Sequence, residues 1–175
     1  MFVSAIVILI LLVAVYLLAR PVVRGAMFFP TSGRNVEVMV RMASLRPHDR
    51  IVDLGSGDGR IVIACARQGI RADGYEINPI LVLVSRRAIR RAGLKGLATV
   101  HWKSFWRVDL APFSVIFVYG MPRFMGGLRK KLERELRPGA KIVANISPFP
   151  AWTPVAEREK VYLYEMGERS RQGSK

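Results

Sequence analysis

The sequence predicts an α/β fold in which a mostly parallel, doubly wound sheet follows one hydrophobic N-terminal segment. Three observations predict it. The 175-residue chain opens with an uncharged run, MFVSAIVILILLVAVYLLA, unlike anything after it. Beyond Arg46, short apolar runs lead repeatedly through Gly- or Asn-Pro-marked turns into amphipathic stretches, the pattern of a parallel sheet with crossover helices. A glycine-rich turn, Gly55-Ser56-Gly57-Asp58-Gly59, joins the first such run to its helix.

As a helix, residues 1–19 would be about 28 Å long at roughly 1.5 Å per residue, close to the hydrocarbon thickness of a bilayer. A transmembrane anchor over 1–19 is therefore expected. A cleaved signal peptide is the competing reading, but the run lacks a basic n-region and a small-x-small cleavage site. Arg20, Arg24, Arg34, Arg41 and Arg46 follow the run, while nothing basic but the terminal amine precedes it. The positive-inside tendency then predicts a single-pass membrane protein with its domain in the cytoplasm. Pro21, Gly25, Pro30 and Gly33 mark residues 20–34 as a juxtamembrane linker.

What remains is about 150 residues, enough for one core and too little for two. The domain is assigned to 35–168, with 169–175 a polar, disordered tail. A formal net charge of +15 suits either a nucleic-acid partner or an anionic membrane surface. The arginines of Arg86, Arg87, Arg90 and Arg91, and the basic run from Arg129 to Arg137, lack the interleaved aromatics of a nucleic-acid footprint and read as solvated helix faces. The single cysteine, Cys65, excludes an internal disulfide and a cysteine-based metal site, and no metal is expected.

A helix is expected from a cap at Thr31 or Ser32, with Val36, Met39, Val40 and Ala43 on its core face. Strands are expected at Ile51–Leu54, Ala72–Glu76, Ala98–His101, Ser114–Tyr119, Lys141–Asn145 and Lys160–Met166. Between them, helices are expected near Gly59–Gln68, Pro79–Ala92 and Phe124–Leu136.

Gly55, Gly57 and Gly59 follow a strand and open a helix, where missing Cβ atoms let a ligand approach the backbone. Two cofactor classes use such a loop. A dinucleotide site wants G-x-G-x-x-G and a helix N-terminus free for pyrophosphate. Here the pattern is G-x-G-x-G, Arg60 stands in place of the third glycine, and Asp53 and Asp58 flank the turn. Carboxylates would repel a pyrophosphate and suit S-adenosylmethionine, whose ammonium and sulfonium groups are cationic. Glu76, ending the next strand, is placed to accept ribose hydroxyls. Ser56 and Ile77 complete the expected cofactor contacts at the loop and after Glu76.

The segments Phe29-Pro30-Thr31, Asp53–Ile63, Glu76-Ile77-Asn78-Pro79, Leu132–Gly139, Pro148–Pro154 and Val161-Tyr162-Leu163-Tyr164 resemble the seven-strand protein lysine methyltransferases that act on adenine nucleotide translocase and on the c-type subunit of ATP synthase, and their archaeal relatives. The resemblance spans roughly Phe29 to Glu168. It implies a Rossmann-like class I methyltransferase with an antiparallel last strand. It further implies that Asp53 and the three glycines hold the methionine part of the cofactor, Glu76 the ribose, and that Thr31 closes over the loop. Ser104 stands where members carry Asp or Asn toward the adenine amino group, a weaker acceptor. The segment from Trp152 to Lys160 is shorter than in the family, so a reduced sixth strand is expected.

Methyl transfer from a sulfonium mainly requires alignment of a neutral nucleophile and exclusion of water. Tyr119, after the fourth strand, and Trp152, after the fifth, are expected to line a lysine channel, with ordinary aromatic packing as the alternative for each. Tyr119-Gly120-Met121-Pro122 differs from the Asn-Pro-Pro-Tyr type motif of amino-methyltransferases of nucleic acids and glutamine. The leading expectation is a lysine side chain on a membrane or membrane-proximal protein. A small molecule or lipid substrate and a non-catalytic cofactor-fold module are the alternatives.

Overall fold

The computed structural model describes residues 6–9, 13 and 30–167. Chain contacts divide it into two units, Met1–Pro30 and Thr31–Lys175. In the first, residues 6–9 and 13 are helical. The rest of the expected anchor, residues 20–29 of the expected linker and the tail lie outside the described residues. Among the described residues no helix is long and apolar enough to cross a membrane.

The second unit begins with α1, Gly33–Ala43, so Gly33 and Arg34 open a helix instead of belonging to a linker. Ser32 caps it by accepting from the Asn35 amide, the ordinary solution for an unpaired first-turn donor. Val36, Val38, Met39, Val40 and Ala43 are buried. The strands are β1 Ile51–Leu54, β2 Ala72–Glu76, β3 Ala98–Trp102, β4 Val115–Tyr119, β5 Lys141–Asn145, β6 Ala156–Arg158 and β7 Val161–Glu165. The helices α2 Arg60–Ala66, α3 Pro79–Arg91 and α4 Pro122–Glu135 follow β1, β2 and β4, and a 3-10 turn, Phe105–Arg107, follows β3. Asn78 caps α3 by accepting from the Ile80 and Leu81 amides, with Pro79 at the first helical position.

The seven strands form one mixed sheet ordered β3-β2-β1-β4-β5-β7-β6. β1 to β5 are parallel, and β7 pairs antiparallel with β5 and with β6, as the expected antiparallel last strand requires. β4 is buried up to Tyr119 and reads as a continuous apolar run, while β1 is buried along its whole length although Asp53 interrupts its apolar residues. One apolar core packs α1, α2 and α3 on residues such as Ile51, Phe117 and Val143; the other packs α4 on Val52, Ile116 and Ile142. Because side chains alternate along a strand, Asp53, Tyr119 and Asn145 belong to the first face. Crossovers depart in opposite directions from β1 and β4, so the crevice at their C-terminal ends is the switch point where such sheets bind ligands.

Candidate cofactor and substrate site

Asp53 is buried near the end of β1 and Glu76 at the end of β2. Glu76 is held by three backbone donors: Gly57 N–H reaches Oε2 at 3.0 Å, and Ile77 and Asn78 N–H each reach Oε1 at 2.8 Å. The glycine loop is thereby tied to the next strand. Burial first, then the charges of Glu76 and Asp58, push the Asp53 carboxyl up to about 8. No hydrogen bond or basic side chain of a described residue offsets this, so at neutral pH the acid stays largely protonated and a cation beside it would favour its ionised form.

Five amides of the loop and helix start are taken, three by β2 and two within the segment. Gly55 and Ser56 N–H donate to Tyr75 O at 2.9 and 3.1 Å, Gly57 N–H to Glu76, Gly59 N–H to Ser56 O at 2.8 Å, and Arg60 N–H to Asp58 Oδ1 at 3.3 Å. None of these donors is left for a phosphate, and α2 is a helix of only seven residues. Gly55 (φ 84°), Gly57 (φ 53°) and Gly59 (φ 81°) take left-handed conformations that other residues enter at a cost. Above Gly55 a Cβ would meet nothing within 4 Å, so a ligand can reach the backbone there. Buried carboxylates beside an open glycine with no anion nest fit S-adenosylmethionine and not a dinucleotide. When bound, that cofactor supplies an electrophilic methyl group on a sulfonium.

The structure redistributes two expected roles. Asp58 does not face the ligand as a free charge: Arg60 Nε lies 2.9 Å from its Oδ1 and Nη2 2.6 Å from Oδ2, and that hydrogen-bonded guanidinium holds the carboxyl below its usual range. Arg60 Nη1 also donates to the carbonyl of Thr31, so one guanidinium joins the loop to the segment preceding α1. Ser56 Oγ is buried without a hydrogen-bond partner among the described residues and points at β2, where a Cβ on Gly74 would come within 2.6 Å of it. Only its backbone serves the loop.

Thr31 is buried, and Asn145 Nδ2 donates to its Oγ1 at 3.5 Å; Asn145 Oδ1 in turn accepts from Asn35 Nδ2 at 3.0 Å. This chain links α1 to the end of β5. Asn35 and Arg60 are site residues that sequence reasoning passed over, and the polar Asn35 one residue before the buried Val36 was the signal for the first. Tyr119 pairs in register with Asn145, and β1 and β4 are aligned at Leu54 and Val118. One residue further on, Gly55 and Tyr119 flank the switch-point crevice. Ser104 caps the turn after β3 through its backbone, and its hydroxyl makes no capping bond. Ile77 is exposed beside Glu76, and its carbonyl accepts from Trp102 Nε1 at 3.0 Å.

Trp152 is not brought together with Tyr119. Its ring packs on Phe149 and Tyr164, centroids 4.9 and 5.6 Å away, and its Nε1 donates to Glu133 of α4 at 3.1 Å. It belongs to the core on the other face and borders a small concavity of about 170 Å³ with Thr153, Tyr164 and Glu165. Among the described residues no cluster of acidic, histidine and cysteine side chains could hold a metal ion.

The profile of the ANTKMT methyltransferase domain matches residues 53–156, from Asp53 through the loop, the crevice and β5. The chain belongs to this family. The ATP synthase C-subunit lysine N-methyltransferase of Mus musculus is 40% identical to it over 174 residues, covering 94% of this chain and 70% of the mouse protein. A protein-lysine N-methyltransferase of Saccharolobus islandicus is 32% identical, covering 81% of this chain and 94% of its own. A crystal structure of an RNA methyltransferase from Salinibacter ruber in complex with S-adenosyl-L-homocysteine superposes with a TM-score of 0.77 at 33% identity, covering 80% of this chain and 95% of that one. As an ANTKMT-type domain the chain is an S-adenosylmethionine-dependent methyltransferase with the seven-strand fold described above.

Proposed function

We propose that the chain transfers the methyl group of S-adenosylmethionine to lysine side chains of a membrane protein. The observation that carries this reading is the 40% identity, across nearly the whole chain, with an enzyme named for lysine methylation of a subunit of ATP synthase. In the cofactor site Asp53 takes the cationic methionine part, and Gly55, Gly57 and Gly59 give it room. Glu76, held by the amides of Gly57, Ile77 and Asn78, has one lone-pair direction left for a ribose hydroxyl. Ile77 and Ser104 border the adenine. Thr31, fixed by Arg60 and Asn145, closes the site from the N-terminal side.

Tyr119, beside Gly55 at the crevice, is the residue best placed to guide a lysine amine toward the methyl. An amine leaving water for a half-buried aromatic wall gives up its proton more readily, which supplies the neutral nucleophile. Trp152 acts indirectly, by fixing the segment after β5 on α4. Residues 1–19 anchor the enzyme in a membrane as a single span and the domain lies on the cytoplasmic side; the uncharged run and the arginines that follow it support this.

The likeness to the Salinibacter RNA methyltransferase and the +15 charge favour a second reading, an RNA substrate. One experiment separates them. Full-length protein is incubated with methyl-labelled S-adenosylmethionine and membrane extract. Protease-sensitive label recovered as methyl-lysine after acid hydrolysis is expected. Label lost to ribonuclease, or found in the lipid phase, overturns the lysine reading.

A further inference from the structure

Helix α3 buries a narrow stripe, Val82, Ser85 and Ile89, and leaves three large aliphatic side chains on its outer side. Ile80, Leu83 and Val84 are 50%, 64% and 46% exposed. With Arg87 and Arg91 they fall at i, i+3, i+4, i+7 and i+11, one continuous outer face whose first half is apolar and whose second half is cationic. Trp102, at the end of β3, extends the apolar half: it is 63% exposed, and its indole N–H is already satisfied by Ile77 O, two residues before α3. Lys103 follows it, exposed. A solvated helix would carry polar residues at these positions, and a contiguous apolar face rimmed by cations marks a contact surface.

We propose that this face, Trp102 with the outer side of α3, docks on an anionic lipid bilayer, holding the cofactor crevice at the same end of the sheet near the membrane. The chemistry selects the occupant. An aromatic ring with its polar atom satisfied, aliphatic side chains and flanking arginines are the components of an interfacial membrane surface. A second copy would bring two Arg87–Arg91 stripes of a +15 chain together, which like-charge repulsion opposes. An acidic protein partner could meet the arginines but leaves Leu83 and Val84 without a stated mate. The inference deepens the membrane-protein reading of the function but does not need lysine to be the group methylated.

The test uses the full chain reconstituted in phosphatidylcholine vesicles with or without about 30% phosphatidylglycerol, whose negative surface potential attracts basic side chains. Trp106→Phe and Trp152→Phe leave Trp102 as the reporter, and bromine on the acyl chains of the phosphatidylcholine is the quencher. Trp102 emission is expected to be quenched about fivefold more with the anionic lipid present, as electrostatic and apolar contributions combine. Leu83→Glu with Val84→Glu should abolish that difference, and Arg87→Glu should reduce it, while S-adenosylmethionine affinity by calorimetry stays unchanged because these side chains face solvent. Trp102 quenched equally in both vesicle types and in all variants would mean that the N-terminal run alone holds the protein, and overturns the proposal. Protection of Trp102 only on adding a soluble acidic protein also overturns it. Cofactor calorimetry and methyl-lysine recovery report on the functional reading, bromolipid quenching on this one, so the two can fail separately.

Discussion

Asp53, one residue before the end of β1, and Glu76, at the end of the adjacent β2, are two buried carboxyls, and among the described residues hydrogen-bond donors meet the charge of Glu76 alone, through the amides of Gly57, Ile77 and Asn78. Asp53 is left with burial and two negative neighbours, which lift its carboxyl to about 8. The pair is thus a seat prepared for positive charge, built before any ligand arrives.

A pH dependence follows. The folded protein holds a proton on Asp53 that the unfolded chain gives up near 3.8, so the stability of the cofactor-free protein falls as pH rises from about 4 to about 8, on the order of 5 kcal/mol at most. Urea midpoints should decline across that window, and Asp53→Asn should flatten the slope. Cofactor affinity should run the other way. A cation favours ionised Asp53, so the Kd for S-adenosylmethionine should tighten by up to about tenfold per pH unit below 8, with proton release visible as a buffer-dependent enthalpy. Asp53→Asn should cost at least about 100-fold in affinity while stabilising the free protein above pH 7, a trade of stability for function. A pH-independent affinity would remove Asp53 from the cation site.

Ser56 and Gly74 test how the loop is held. Ser56 Oγ is a buried hydroxyl without a partner among the described residues, so Ser56→Ala should leave cofactor affinity unchanged and alter stability by less than about 1 kcal/mol, with either sign. Gly74→Ala puts a methyl within 2.7 Å of both Ser56 side-chain atoms and within 3.0 Å of Val62, and should lower stability by about 1–3 kcal/mol and weaken cofactor binding by displacing the loop. The measurement is calorimetry on the single variants and the pair. If Ser56→Ala alone abolishes binding, the hydroxyl faces the cofactor after all.

The Arg60 guanidinium spans Asp58 and the Thr31 carbonyl. Arg60→Ala removes the contact that holds Asp58 low. That contribution is present above the ordinary carboxylate range and is lost as pH falls through the depressed value, so the variant should differ from the parent most at neutral pH and least near pH 2. The pair is partly exposed, so the loss should be about 1 kcal/mol. Cofactor dissociation should accelerate several-fold, because Thr31 is no longer tied to the loop. Stopped-flow release of S-adenosylhomocysteine measures it.

Much of this fold is legible in the chain and some of the site is not, for separable physical reasons. Ile51–Leu54, Ala72–Glu76 and Lys141–Asn145 match their expected bounds: the first and third are mainly apolar stretches, and the second is an alternating strand, buried at Ala72, Gly74 and Glu76, that stops before Asn78-Pro79. α2 is shorter than expected at both ends: Gly59 takes a left-handed conformation and serves as cap, and the chain turns toward Gly69 after Ala66. α4 begins at Pro122, two residues early, since proline suits the first helical position. The turn at Phe105–Arg107 has no periodicity to betray it, and β6 is three exposed residues whose strand partner among the described residues is β7. Its hairpin turns on Glu159 (φ 52°) and Lys160 (φ 59°), non-glycine residues that Arg34 supports with bonds of 2.7 and 2.8 Å to Glu159. That support comes from 125 residues away and cannot be read locally. In the site, the loop and the acid at the end of the next strand follow from spacing. The inward turn of Ser56, the pairing of Asp58 with Arg60 and the face chosen by Trp152 depend on side-chain packing, which spacing does not encode.

Tyr119 and Trp152 make opposite predictions. Trp152 is packed on Phe149 and Tyr164 and bonded to Glu133, so Trp152→Phe loses one partly buried hydrogen bond and some contact area, and should lower stability by about 1–2 kcal/mol with kcat nearly unchanged. Tyr119 sits at the crevice beside Gly55, half-buried and with no ring partner among the described residues. Tyr119→Ala should lower kcat by about tenfold or more through loss of alignment, while cofactor affinity and thermal midpoint change little. Single-turnover methyl transfer with saturating cofactor separates the two. A Trp152→Phe enzyme that folds and binds S-adenosylmethionine like the parent but transfers no methyl would place that ring in the substrate path, and would mean that the segment after β5 moves when substrate binds.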